Sequence, residues 1–294
     1  MTFKKLFVSV CILTILFNVP VSAHTASSST NNKETLIEYN LLTGTQTAIE
    51  YEIDYSLTSS AEFLNPIKPC SIIGDDEREP LDKALYPPFS CIGYFKTIKN
   101  GRPYHGTGVL VSDKLVLTAG HNFISDRGEA EASSITFTAG LNYDGSNKGV
   151  ANATKYFIPE EWVNDRNKAY DWALFELDKS LGNVAGYVEL KIEPLLINDY
   201  IEIYGYPRDS KELSGNTKYP NQIAGYGQIM RETDLRIYYD ADTEEGMSGA
   251  PIMRPNGNST VCIGIHTNGN DEYPGYNSGV KINHAMLAYI RNAN

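Results

Sequence analysis

From Ser71 to the end of the chain, apolar residues come in short runs separated by turn-forming pairs, the pattern of strands in an antiparallel sheet. Ser90 to Thr97, Gly106 to Ser112, Lys114 to Ala119 and Ser134 to Ala139 read as strands. So do Asp171 to Leu177, Tyr200 to Tyr206, Leu235 to Tyr239 and Val261 to Thr267. Asn100-Gly101, Ser112-Asp113, Asp144-Gly145 and Asn256-Gly257 mark the reversals, because these residues tolerate the backbone angles of tight turns. Many short strands without intervening helices predict an all-β barrel or sandwich. Only the tail departs from this. Ile282, Met286, Tyr289 and Ile290 share one face at helical spacing, and Asn283 stands where an N-cap belongs.

The first seventy residues follow a different pattern. Lys4 and Lys5 precede an apolar stretch from Leu6 to Val19, and Val21-Ser22-Ala23 fits a small-residue cleavage site, so residues 1–23 read as a secretory signal. The stretch is too short for a membrane anchor. Residues 24–35 are polar and read as a flexible leader. Between Leu36 and Ile67 there is some alternation (Ile49, Tyr51, Ile53, Tyr55) but too little apolar content for an independent core. A segment of this kind behind a signal is expected to be a propeptide, residues 24–70, ahead of the main domain over 71–294. The alternative is an N-terminal strand region kept in the mature protein.

Composition narrows the partners. The 294 residues are 41% hydrophobic with a net charge of −11, which is globular and argues against nucleic acid or an anionic membrane as partner. Cys11 falls in the signal, and a cut before Ser71 leaves Cys91 and Cys262. These form either a disulfide in an oxidising compartment or two free, buried thiols. The chain has no His-Glu-x-x-His, paired Cys-x-x-Cys or EF-hand loop, so no metal or other cofactor is expected.

Three segments carry candidate chemistry. Glu245-Gly246-Met247-Ser248-Gly249-Ala250-Pro251 places a Ser between glycines on a tight turn. There a hydroxyl is exposed, and the N–H groups of Gly246 and Ser248 can face a developing oxyanion. Val116-Leu117-Thr118-Ala119-Gly120-His121 is an apolar strand running into small residues and then an imidazole, the placement of a general base at the edge of a cleft. Asp171, in Tyr170-Asp171-Trp172-Ala173-Leu174-Phe175, opens an apolar strand, where burial is costly unless the carboxylate is hydrogen-bonded. The order His121, Asp171, Ser248 is that of chymotrypsin, distinct from the orders of α/β-hydrolases and subtilisins.

With these segments in hand, the chain from Ser71 onward resembles the bacterial glutamyl endopeptidases, the V8-like and Bacillus Glu-specific group of chymotrypsin-fold serine proteases. The resemblance rests on Ser71-Ile72-Ile73-Gly74-Asp75-Asp76-Glu77-Arg78, Leu117-Thr118-Ala119-Gly120-His121 and Tyr156-Phe157-Ile158-Pro159. It rests further on Tyr170-Asp171, Ile203-Tyr204-Gly205-Tyr206-Pro207, Met247-Ser248-Gly249 and Gly264-Ile265-His266-Thr267-Asn268-Gly269. It implies a double antiparallel β-barrel with a short C-terminal helix and with His121, Asp171 and Ser248 in the cleft between barrels. It also implies a secreted, monomeric zymogen activated by a cut before residue 71, and protein or peptide substrates. In this group a His, a Thr five residues before the Ser and the new α-amino group bind the P1 carboxylate. Those positions are His266, Thr243 and Ser71. Two departures stand out. His105 and Asn122 occupy the place of a disulfide that flanks the catalytic His in the Bacillus members. Glu244-Glu245 stands before the oxyanion Gly, where two carboxylates facing the pocket would repel an acidic P1 residue.

Overall fold

The computed structural model describes residues 33–52, 71–125, 131–257, 259–269 and 273–293. The segment read as a signal, and Cys70, lie outside these residues. In chain order the strands are β1 (Lys33–Asn40), β2 (Thr45–Glu52), β3 (Glu79–Pro80), β4 (Ile92–Lys99), β5 (Arg102–Leu110), β6 (Leu115–Thr118), β7 (Ala132–Ala139) and β8 (Gly149–Pro159). They continue with β9 (Ala173–Leu177), β10 (Tyr200–Gly205), β11 (Ile223–Glu232), β12 (Arg236–Tyr239), β13 (Pro251–Asn256), β14 (Ser259–Asn268) and β15 (Asn277–Lys281).

Two sheets form. The first runs β2-β1-β8-β7-β4-β5-β6-β9, and β9 returns to pair with β8, closing a six-strand antiparallel barrel that carries β1 and β2 as an outer hairpin. The second runs β10-β13-β14-β15-β12-β11-β3 and closes where β11 pairs with β10, again with six strands. Closure pairs the six strands of each barrel on both sides, leaving β2 and β3 as the outer strands. The expected chymotrypsin-like double barrel is therefore the observed fold.

The barrels are filled differently. Phe175 of β9 sits amid an aromatic cluster in the first, its ring centroid 5.6 Å from Phe123 and 5.8 Å from both Phe95 and Phe137. The second is packed with branched and small side chains, among them Ile201, Ile203, Ile237, Ile252 and Ala250. Each fully buried side chain of this size contributes roughly 1.5–3 kcal/mol.

The C-terminal helix, His284–Ala293, begins as the sequence predicts. The Asn283 side-chain oxygen accepts the Met286 N–H at 3.0 Å, and Met286 and Ile290 are buried. Two boundaries differ from expectation. Residues 33–35, read as part of a flexible leader, open β1, and Asp171 precedes β9 rather than starting it. The described part of the Leu36–Ile67 segment, residues 36–52, packs onto the first barrel: β1 pairs along β8, where Leu36 is fully buried.

Candidate active site

The register of β6 with β9 pairs Thr118 with Ala173, which brings the end of one strand beside the start of the other. The chain leaves β6 through a single 3-10 turn, Gly120–Asn122, that carries His121. It enters β9 from a similar turn, Lys168–Tyr170, that delivers Asp171. Asp171 is fully buried and accepts twice from the same residue: from the His121 backbone N–H at 2.8 Å and, through its other oxygen, from Nδ1 at 2.7 Å. These bonds offset the desolvation of a buried carboxylate and keep the proton on Nδ1, leaving Nε2 as the basic nitrogen. The imidazole is 18% exposed, so the pair is half sealed and half open to the cleft.

Ser248 comes from the second barrel on a loop held by Met247, which is buried in that barrel's core. Gly246 and Gly249 lie at φ +99° and +87°, where side chains are strained. A Cβ on Gly249 would also run into the Thr118 hydroxyl and the Thr107 carbonyl, so the loop approaches the first barrel too closely for any other residue. Thr107 of β5 ties the two together. Its N–H donates to the Ser248 carbonyl (3.1 Å), and its hydroxyl donates to the Gly246 carbonyl (2.8 Å) while accepting the Tyr206 N–H (2.9 Å). Asn122, next to His121, donates to the Ser248 carbonyl at 3.0 Å. These bonds bring Ser248 to the His121 side of the cleft. Among the described residues the N–H groups of Gly246 and Ser248 have no protein acceptor.

The residues expected to read P1 gather at one end of the second barrel. The Thr243 N–H donates to the Ser71 carbonyl at 3.2 Å. The Thr243 hydroxyl is buried and lacks a partner among the described residues. Asn277, at the start of β15, grips Ser71 from both sides: its oxygen accepts the Ser71 N–H (3.0 Å) and its nitrogen donates to the Ser71 carbonyl (2.6 Å) and the Ala241 carbonyl (2.9 Å). Asp242 accepts from the N–H groups of Ile73 and Glu77 at 2.6 and 2.9 Å. Arg78, buried, is held by Asp76 and Asp209 at 2.9 and 2.6 Å. His266 pairs across the sheet with Gly279 and is fully buried, its Nδ1 2.5 Å from the Tyr239 hydroxyl. Burial above all, with the fields of His121 and Arg236, lowers its pKa to about 3. It is a neutral hydrogen-bonding group, and any positive charge at this end must come from elsewhere.

Glu244 and Glu245 turn to Arg208, whose guanidinium lies 3.2 and 2.7 Å from their carboxylates. His105 stacks on Tyr94, ring centroids 5.4 Å apart, and burial lowers its pKa. Cys91 and Cys262 are free and buried, and burial raises both thiols to about 12, which leaves them inert. Among the described residues no His, Cys, Asp and Glu cluster is arranged for a metal, and no helix is long and apolar enough to cross a membrane. Thr107, Asp242 and Asn277 escaped the sequence reading, and so did the bond from Asn122 to Ser248, because each acts through contacts far apart in the chain; Asn277 meets Ser71 across 206 positions.

Two closed barrels with this cleft between them define a serine endopeptidase of the chymotrypsin fold. The family model for trypsin matches residues 90–290, more than half of the chain, and the chain belongs to the trypsin family. It is similar to the glutamyl endopeptidase of Bacillus licheniformis, 28% identical over 228 residues that make up 76% of this chain and 68% of the relative. The structure of Glu endopeptidase in complex with MPD superposes with a TM-score of 0.67 at 27% identity, covering 76% of this chain and 98% of that one. The protease Anisep from Arthrobacter nicotinovorans, 19% identical, shares the fold with a TM-score of 0.58 over 72% of this chain and 97% of its own.

Proposed function

We propose that this chain is made as an exported zymogen with a signal over 1–23 and a propeptide over 24–70, and that a cut before Ser71 yields a monomeric extracellular endopeptidase preferring Glu, and less so Asp, at P1. In this reading Ser248 Oγ attacks the scissile carbonyl while His121 Nε2 takes its proton, and Asp171 holds the imidazole in the required tautomer. The oxyanion forms between the N–H groups of Gly246 and Ser248. His121 then protonates the leaving amine, and the acyl-enzyme is opened by a water that surrenders its proton to the same nitrogen.

The Glu preference is carried by the buried Thr243 hydroxyl, without a partner among the described residues, beside the docked Ser71. A carboxylate entering this end must regain the hydrogen bonds it had in water, and an unpaired buried charge costs several kcal/mol. Thr243 and His266 supply neutral donors, and the α-amino group of Ser71, released by the cut, supplies the charge that His266 lacks. The turning of Glu244 and Glu245 toward Arg208 supports the reading, since neither carboxylate then opposes an acidic P1 residue. The test is a peptide-library cleavage profile on secreted material whose N-terminus has been sequenced. Cleavage after Glu by a chain starting at Ser71, absent in Ser248→Ala, is the expected result; cleavage after Lys or Arg overturns the specificity.

A further inference from the structure

β8 is longer than the strand beside it. β7 pairs only with its first part, from Ala139 opposite Gly149 to Thr136 opposite Asn152. Beyond that point β9 holds one edge, from Ala153 to Phe157, and the other edge is taken by β1. The register runs from Asn40 opposite Lys155 to Leu36 opposite Pro159, and the Leu41 N–H continues it to the Thr154 carbonyl at 2.9 Å. The hairpin thus fills the stretch of β8 that β7 leaves uncovered.

Side chains reinforce the pairing. Leu36 is fully buried, and the Tyr39 ring stacks on Tyr156 at 4.6 Å with 8° between planes. Tyr51 of β2 packs edge-on to Tyr289 of the C-terminal helix at 6.3 Å, and Tyr289 in turn meets Phe157 of β8 at 4.7 Å. Lys155 bridges Glu38 of the hairpin (3.5 Å) and Glu176 of β9 (3.3 Å). Gln46 donates to Glu131 at 3.1 Å. Removing the hairpin would bare five residues of strand edge, the face of Tyr156 and part of the helix seat, which is the kind of edge that templates aggregation. The isolated hairpin, in turn, would be marginal in water. The family match begins at residue 90, so the hairpin is an addition outside the matched segment.

We propose that the β1–β2 hairpin stays bound to the catalytic domain after the chain is cut before Ser71, so that the working enzyme consists of two chains held together without a covalent bond. The cut itself is part of the proposed function above, and the test separates the two. In the Ser248→Ala protein, the recognition sequence of a foreign protease is inserted between Ser59 and Ser60. The chain is then cut, passed through a sizing column at about 1 µM, and weighed under denaturing conditions. Both fragments eluting together in equal amounts, with the melting temperature within roughly 2 °C of the uncut protein, is the expected result. A hairpin fragment that elutes apart overturns the proposal. Leu36→Asp, or Tyr39→Ala should that variant fail to fold, is expected to release the fragment from the cut protein. Retention as tight as in the parent would overturn strand pairing as the cause. N-terminal sequencing of the native activated enzyme decides independently whether the cut falls before Ser71.

Discussion

Asn277→Ala isolates the contribution of the docked N-terminus. Asn277 is fully buried and makes three hydrogen bonds, at 3.0 and 2.6 Å to the two sides of Ser71 and at 2.9 Å to the Ala241 carbonyl. At about 1 kcal/mol each, their loss costs on the order of 3 kcal/mol. The segment as a whole stays in place, because Asp242 still holds Ile73 and Glu77, and Arg78 still holds Asp76 and Asp209. The loss therefore falls on the position of Ser71 itself. Two of the three bonds hold Ser71, about 2 kcal/mol between them, so at about 1.4 kcal/mol per factor of ten the correctly placed α-amino group becomes up to about 30-fold rarer. The assay compares kcat/KM on a matched pair of peptides with Glu or Gln at P1, on enzyme shown by sequencing to begin at Ser71. The Glu-to-Gln ratio should fall by about 10- to 30-fold, while titration with a fluorophosphonate still counts every Ser248. The melting temperature should drop by roughly 6–12 °C, at about 2–4 °C per kcal/mol for a domain of this size. Asn277→Asp keeps an acceptor for the ammonium and should recover part of the ratio. A melting temperature lowered as expected with the Glu-to-Gln ratio unchanged would refute the role given to Ser71.

Asp171→Asn should lower kcat/KM by about 10⁴ with the fold retained, because an amide facing Nδ1 selects the imidazole tautomer whose Nε2 already carries a proton. Equal loss in Asp171→Asn and Asp171→Ala with a large drop in melting temperature would instead mark Asp171 as structural. Arg208→Ala frees Glu244 and Glu245; it should lower kcat/KM for Glu substrates a few-fold at low salt, leave Gln substrates alone, and lose its effect at high salt. The half-exposed pairs themselves contribute under about 1 kcal/mol of stability, so the melting temperature should barely move. His266 also sets a pH dependence. Its pKa is about 3 folded and about 6.5 unfolded, so between those values the unfolded chain binds the proton first. Its contribution is complete above pH 6.5 and drains as pH falls toward 3, by several kcal/mol in all. Urea midpoints at pH 7 and pH 4 should accordingly lie closer together in His266→Gln than in the parent.

The legible strands carry apolar runs, as in β6 and β14, or apolar–polar alternation, as in β7. β11 and β15 were not, because they run so close to their neighbours that glycine replaces apolar bulk. A Cβ on Gly225 would strike the Asp242 carbonyl, and one on Gly279 the Ile265 carbonyl. β13 carries Pro251 and Pro255, which cannot donate to a ladder, and was not among the strands read. The hairpin showed its alternation at Ile49 and Tyr51 but not its purpose, since the surface it covers belongs to β8 and the last helix. In the site, the residues that would do chemistry were visible from local setting, as at His121 after its apolar strand. Those that hold them were not. Nothing around Asn122 or Thr107 in the chain announces a bond to the Ser248 carbonyl, because the partner arrives only when the two barrels meet. The orientation of Glu244 and Glu245 likewise depends on Arg208, some thirty-six positions away.

The division of the cleft between two barrels also sets when the chain becomes dangerous to its surroundings. His121 and Asp171 are in place once β9 is complete, but Ser248 lies in the last fifth of the chain, and the second barrel closes only after β15. In the proposed mechanism, a chain not yet complete through Ser248 thus holds a base without a nucleophile. Even a finished chain lacks the ammonium that the proposed pocket requires until residue 71 becomes a terminus. On the proposed mechanism, proteolytic capacity is therefore the last property this polypeptide acquires.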